Sequence, residues 1–344
     1  MNPRYAIAPA ILLVGLVALV FLVAEPEETP LGDSSEASSE PTKEIPQFES
    51  VEAPLAPPVP GPDIYNGIAW SAEQNALRLR LLDVMRQSID ADSPSARVRL
   101  SVARMDAVQE ILDTLGDADV DLMIALLLEE PDFMIRRQIL ETLGKIGSPA
   151  AVDALVDHYW RLYSKESESE LNFTIESLGL AQSPHSFVRL TDMIRHPIAE
   201  PHRFRFVEQL GRHQDNAQAV PLFLEVADVR NERYFKTRSR AALALKWAND
   251  PRSAPKIEML LDREEDKYVR QALVGTLGDL GDSGSISKLE SIARTDTNFQ
   301  TRSSAVRALS RIGGERARQI VEGISESDAD ERVRAEAARR LLDM

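Results

Sequence analysis

Cysteine is absent from all 344 residues. Without a thiol there is no disulfide, no thiolate nucleophile and no Cys-ligated zinc or iron–sulfur site. Aromatic residues are scarce at 6%, so any core must be built from aliphatic side chains, and a local aromatic cluster stands out. Histidine occurs five times, always between His158 and His213. No His-Glu-x-x-His, Gly-x-Ser-x-Gly, phosphate-loop or Gly-x-Gly-x-x-Gly pattern occurs, which removes the common zinc-hydrolase, serine-hydrolase and nucleotide-binding signatures. Positive charge is also short: 40 Lys and Arg face 55 Asp and Glu, a formal net charge of −15. An acidic chain repels a polyanion, so no nucleic acid is expected as partner.

What is present divides the chain by composition. Residues 6–24 (AIAPAILLVGLVALVFLVA) carry no charge. At 1.5 Å per residue a helix of that length spans about 28 Å, enough to cross a hydrocarbon core. Arg4 precedes it, Glu25, Glu27 and Glu28 follow it, and the next cation is Lys43. That asymmetry sets the N-terminus in the cytoplasm and the bulk outside, in the periplasm or another extracytoplasmic space. The run exceeds a signal-peptide core, and Leu22 occupies position −3 of the best cleavage point after Ala24. Residues 1–24 are therefore expected to be an uncleaved signal anchor, one transmembrane helix touching the membrane through residues 6–24. Residues 25–62 hold nine of the twenty prolines, nine acids and one lysine. Apolar residues there follow no helical or strand period, which predicts a disordered, self-repelling linker.

From residue 63 onward the pattern is helical. Residues 72–89 (AEQNALRLRLLDVMRQSI) form an amphipathic run, and 63–104 are expected to hold N-terminal capping helices. The clearest unit runs from Asp266 to Ala293. Val269, Leu273, Thr276, Leu277 and Leu280 lie on one helical face, Gly278 and Gly281 are expected to end that helix, and Ile286, Leu289, Ile292 and Ala293 form a second face. Leu-Gly or its equivalent recurs at Leu115, Leu143, Leu178, Leu210, Leu245, Leu277, Leu309 and Leu341. The spacing is even from Leu245 onward and widens before Leu178 and before Leu245. Such a period, roughly 32 residues with two helices per unit, predicts an all-α fold, an α-solenoid of about seven to eight repeats over 105–344.

The units share more than a leucine. Asp132, Ile135-Arg136, Leu143-Gly144 and Gly147 recur as Asp266, Val269-Arg270, Leu277-Gly278 and Gly281. They recur again as Asn298, Thr301-Arg302 and Ala308-Leu309, and as Asp330, Val333-Arg334 and Leu341. Thr237-Arg238 with Leu245 is weaker, and the units around Leu178 and Leu210 start poorly at Glu170 and Arg203. This pattern resembles the short, bilin-lyase-like HEAT repeat. The resemblance implies an armadillo-type stack of helix pairs, and arginines that pair with an Asp of the neighbouring unit. Asp132, Asn298 and Asp330 are expected as helix N-caps, as are Ser148, Ser183 and Asp250 ahead of prolines.

The signature supplies architecture and no catalytic group. The function expected is a non-catalytic scaffold or adaptor without a cofactor, binding a protein or peptide partner in the cell envelope on its solenoid surface. The alternative is a HEAT-type enzyme or enzyme subunit of the lyase or hydroxylase kind, with a metal held between His158 and His213. Iron-binding HEAT hydroxylases carry His-Glu dipeptides, and no histidine here is followed by Glu. Ordinary surface histidines are the simpler expectation. The partner-binding candidates gather where the pattern decays. His158, Tyr159, Trp160 and Tyr163 bring three aromatics close together in the chain, of the types enriched at binding hot spots; the other reading is that Trp160 fills space beside the expanded unit that follows. Phe204 and Arg205, and Phe235 and Lys236, are lesser candidates that core packing also explains.

Overall fold

The structure is a computed structural model that describes residues 71–86, 93–163 and 167–344. The expected anchor at 6–24 and linker at 25–62 lie outside these residues. Among the described residues no helix is long and apolar enough to cross a membrane.

Sixteen α-helices, joined by loops and short 3-10 turns, make up the described residues, which contain no strand. Seven pairs follow one another: α2 (Pro94–Leu112) with α3 (Val120–Glu129), α4 (Phe133–Ile146) with α5 (Pro149–Tyr163), and α6 (Glu168–Leu180) with α7 (Pro184–Arg195). Then come α8 (Arg203–Arg212) with α9 (Val220–Ala227), α10 (Phe235–Ala248) with α11 (Ala254–Leu261), α12 (Lys267–Leu280) with α13 (Ile286–Thr295), and α14 (Phe299–Ile312) with α15 (Gly314–Ser327). Single helices stand at either end of the series, α1 (Ala72–Met85) and α16 (Glu331–Leu341). First helices pack in order, α2 on α4 and so on through α14 on α16, while α1, α3, α5 and α7 pack successively in a second layer. Helix α2 is thus the first helix of a full unit, and it crosses position 104/105, where the sequence suggested that the array begins.

Local chemistry explains the helix limits. The side chains of Asp132, Asp266, Asn298 and Asp330 accept first-turn N–H groups of α4, α12, α14 and α16. Such a cap is worth about 1 kcal/mol. Ser183 caps α7 ahead of Pro184, whereas Asp250 and Pro251 open a 3-10 turn before α11. Gly147 and Gly281 take left-handed φ values of 59° and 69° at the ends of α4 and α12, a region that costs a Cβ-bearing residue.

Gly278 has a different role from the one expected. Helix α12 continues through it to Leu280. A Cβ at Gly278 would sit 2.5 Å from Ala308 Cα on α14, so this glycine sets how closely first helices approach. Between the layers, Ile135, Ile139 and Leu143 of α4, and Val269, Leu273 and Leu277 of α12, have no exposed surface. Burying each such side chain contributes about 1.5–3 kcal/mol, and one unit cannot do so without neighbours.

Candidate partner-binding surface

The recurring arginine comes first, because it accounts for most of the buried charge. Arg238 Nε and Nη2 donate to Glu264 at 2.7 and 2.9 Å, and Nη1 donates to the carbonyls of Glu232 and Arg233 at 3.0 and 2.9 Å. Arg270 pairs in the same way with Asp296, and Arg302 with Asp328. Each acid also accepts the backbone N–H two positions on, at Asp266, Asn298 and Asp330. One guanidinium therefore clamps its own loop through carbonyls and the next unit through a carboxylate. The weak starts noted in the sequence belong to the same ladder: Arg136 pairs with Glu170 at 2.8 Å, and Arg203 with Glu232 at 2.6 Å. Arg334 is the last of the series. Its Nη1 reaches the carbonyls of Asp328 and Ala329, and its bonds among the described residues include no carboxylate. The ladder is stacking hardware, not an anion-binding stripe.

The aromatic and histidine cluster lies at the joint of α5, α6 and α8. His158 and Tyr159 are buried, with Tyr159 only 1% exposed. The Tyr159 hydroxyl shares a 3.0 Å hydrogen bond with His202 Nδ1, and its ring meets Phe206 edge-on at 5.2 Å. Trp160 and Tyr163 are half-buried, and the Trp160 ring packs on His196 at 4.7 Å. His158 Nε2 donates to Glu170 Oε1 at 3.2 Å beside the Arg136 guanidinium. Burial alone would raise the Glu170 carboxyl pKa, but hydrogen bonds from His158 and Arg136 outweigh it and hold the value at about 2.

The expectation of ordinary surface histidines fails here. His213 is buried against the Ser186 hydroxyl and the Ser183 carbonyl, and His185 pairs with Asp153. Burial pushes His196, His202 and His213 below the usual imidazole range. His158, His185, His202 and His213 each hydrogen-bond a side chain of another helix or unit, whereas the His196 ring packs against Trp160. Among the described residues no three His, Cys, Asp or Glu side chains converge as metal ligands, so the histidines between 158 and 213 form no ligand set.

Among the described residues the exposed aromatics gather elsewhere, on the edge where first helices begin. Tyr234, Phe235 and Tyr268 are 42%, 40% and 52% exposed. Phe235 and Tyr268 stack across the α10–α12 joint at 5.9 Å and 30°. Cations cover the aromatic faces: Arg233 lies 4.7 Å over Tyr234, Lys267 4.9 Å over Tyr268, and Arg332 3.4 Å over Phe299. An open cleft of ≈ 590 Å³ continues the edge between Lys267 and Asn298. Lys236 is exposed beside Phe235. Phe204 and Arg205 are half-buried on α8, with the guanidinium 5.0 Å over the ring. Of the sequence candidates, the structure thus brings Phe235 and Lys236 to an exposed edge, buries His158 and Tyr159, and half-buries the others. Arg233, Lys267 and Tyr268 escaped sequence reasoning. The available signal was an aromatic in the first helical turn, at Phe235 and again one repeat later at Tyr268.

Comparison with known proteins follows from this architecture. HEAT repeats match residues 80–166, 188–274 and 257–341, together well over half of the chain. Human deoxyhypusine hydroxylase in complex with glycerol is similar at 14% identity over 79% of this chain and 99% of that chain, with a TM-score of 0.33. The complex of CpcE and CpcF of phycocyanin lyase from Nostoc sp. PCC7120 is similar at 19% identity over 80% of this chain and 98% of that chain, with a TM-score of 0.32. At such scores neither bears on activity. No curated protein matches the chain. The matched repeats and the stacked helix pairs agree, and the chain belongs to the HEAT-repeat family.

Proposed function

We propose that this chain is a non-catalytic scaffold, anchored in a membrane through residues 6–24 and facing outward, that binds a protein or extended peptide along the edge formed by the starts of α10, α12 and α14. One observation carries the reading. The charged groups of the ladder satisfy one another inside the array, whereas Phe235 and Tyr268 present stacked, half-exposed rings with Lys236 and Lys267 beside them. Tyr and Arg with apolar neighbours form the chemistry of binding hot spots, and a rigid helical array holds them at little entropic cost on binding.

The test is a site-specific photocrosslinker placed in the full chain in its native membrane, at Phe235, at Tyr268, and at Leu180 as an exposed control on α6. Positions 235 and 268 should give the same discrete adduct, and position 180 none. Equal yields at all three positions, or no adduct at 235 and 268, would sink the proposal.

A further inference from the structure

We infer that the partner segment seated on the α10–α14 edge is an extended acidic peptide whose carboxylates recur at every third residue; this rests on the scaffold reading above. The first argument is charge. A helix N-terminus carries partial positive charge and favours acids in its first turn. The first turns of α10, α12 and α14 contain none, and the chain sets Lys236 and Lys267 there instead. Among the described residues neither lysine has a carboxylate partner; Lys267 has only the Tyr268 ring. Nearby acids do not pair with them: Glu200 is held by Arg233 at 3.0 Å, Glu264 and Asp296 by Arg238 and Arg270, and Asp266 accepts the Tyr268 and Val269 N–H groups of α12. Glu265 is an exposed acid on this edge. An outside carboxylate would meet Lys236 at the start of α10, which no side chain caps, and Lys267 beside the Asp266-capped start of α12.

The second argument is spacing. Packed helices lie about 8–10 Å apart. A polyproline-type strand advances about 9.3 Å in three residues, so residues i and i+3 of such a strand fall opposite the starts of α10 and α12, where Lys236 and Lys267 sit. The residues between them would lie on the Phe235–Tyr268 stack, as proline-rich strands do on aromatic grooves. The third argument is selectivity. The −15 net charge repels a long polyanion or an anionic bilayer, whereas a short segment experiences mainly the local cations.

Anisotropy of a labelled peptide of four Glu-Pro-Pro repeats, titrated with the full chain in nanodiscs, tests this. It should bind about tenfold tighter than four Gln-Pro-Pro repeats, and tighter than a peptide of the same composition with its glutamates clustered. Lys236→Glu with Lys267→Glu should weaken binding about tenfold, and added salt should weaken it too. Arg195→Glu on α7, with unchanged circular dichroism, should leave it intact. Equal binding of the clustered peptide, no effect of the double reversal, or no binding overturns the inference. So does preferential binding of an oligonucleotide or of anionic vesicles. A crosslinked partner whose captured segment lacks an acidic three-residue repeat overturns it too, while leaving the scaffold reading standing.

Discussion

Two arginines at equivalent positions of the repeat should respond very differently to the same substitution. Arg238 and Arg334 both clamp the loop before their own helix through Nη1. Only Arg238 also makes a two-pronged bond to a carboxylate, with side-chain exposures of 6% and 2% across the pair. Arg238→Met removes four hydrogen bonds and leaves Glu264 buried with the Asp266 N–H as its remaining donor. Deleting one partner of a buried pair costs about 3–5 kcal/mol, because the other charge stays in a low-dielectric site. Arg334→Met strands no acid, and its cost should be about 1 kcal/mol.

Native-state hydrogen exchange is the suitable assay, since a repeat array opens locally and a single global transition is not assured. Amides of α10 and α12 should lose roughly two to four powers of ten in protection with Arg238→Met. Amides of α14 and α16 should lose about one with Arg334→Met. Replacing Glu264 together with Arg238 by apolar residues of similar volume should return stability to about that of the intact pair or above it. Equal losses at the two sites would refute the argument that the neighbouring unit's carboxylate makes the difference.

Three further outcomes follow from the same geometry. Gly278→Ala drives a Cβ into Ala308 and should cost about 1–3 kcal/mol, whereas Gly275→Ala meets nothing within 4 Å and should stabilise by about 0.5–1 kcal/mol; urea titrations of the two variants decide. On acidification, His196, His202 and His213, whose pKa values burial depresses, contribute stability that is complete above their unfolded value of about 6.5 and is lost as pH falls through their folded values. Glu170, held at about 2, contributes stability present above the unfolded value of about 4.3 and lost as pH falls towards 2. Thermal melts should therefore fall in two steps, and Glu170→Gln should reduce the second, to which Asp228, Asp328 and Glu336, whose carboxyl pKa values are also lowered, contribute as well. Finally, Tyr159→Ala should cost about 3–5 kcal/mol by opening the α5–α8 joint, while Tyr268→Ala should change stability by under about 0.5 kcal/mol yet remove the crosslinked adduct. The reverse pattern would return the binding role to the α5 cluster.

The division between these two tyrosines marks where sequence reasoning stops. Helix limits, caps, the repeat period and the recurrence of the arginine are short-range properties of the chain. They were legible because a cap, a left-handed glycine and an i, i+4 stripe each depend on residues within one or two turns. The pairing of Arg270 with Asp296 was foreseeable from the family pattern, since a strict repeat carries every contact over to the next unit. Where the pattern breaks, that transfer fails. Helix α5 has 15 residues against 8 in α9, and its extra length lays Tyr159 and Trp160 on His202 and His196, at the two ends of the 3-10 segment between α7 and α8. No local signal says that those rings meet, so the composition left packing and partner contact both open, and the structure buries Tyr159 while half-burying Trp160.

The opposite error concerns the most regular unit. Lys267 and Tyr268 sit in the copy closest to consensus, where nothing about the sequence draws notice. Their importance comes from Phe235, one repeat earlier, lying against Tyr268 on an edge that leaves both rings exposed. The sequence by itself determined the repeat, its helices and the recurrence of the arginine, because those rest on local periodicity, while the pairing of that arginine with a neighbour's acid was implied by the family pattern. Which aromatics are buried and which are offered to a partner was decided only by stacking, because exposure belongs to the neighbours of a residue and not to the residue.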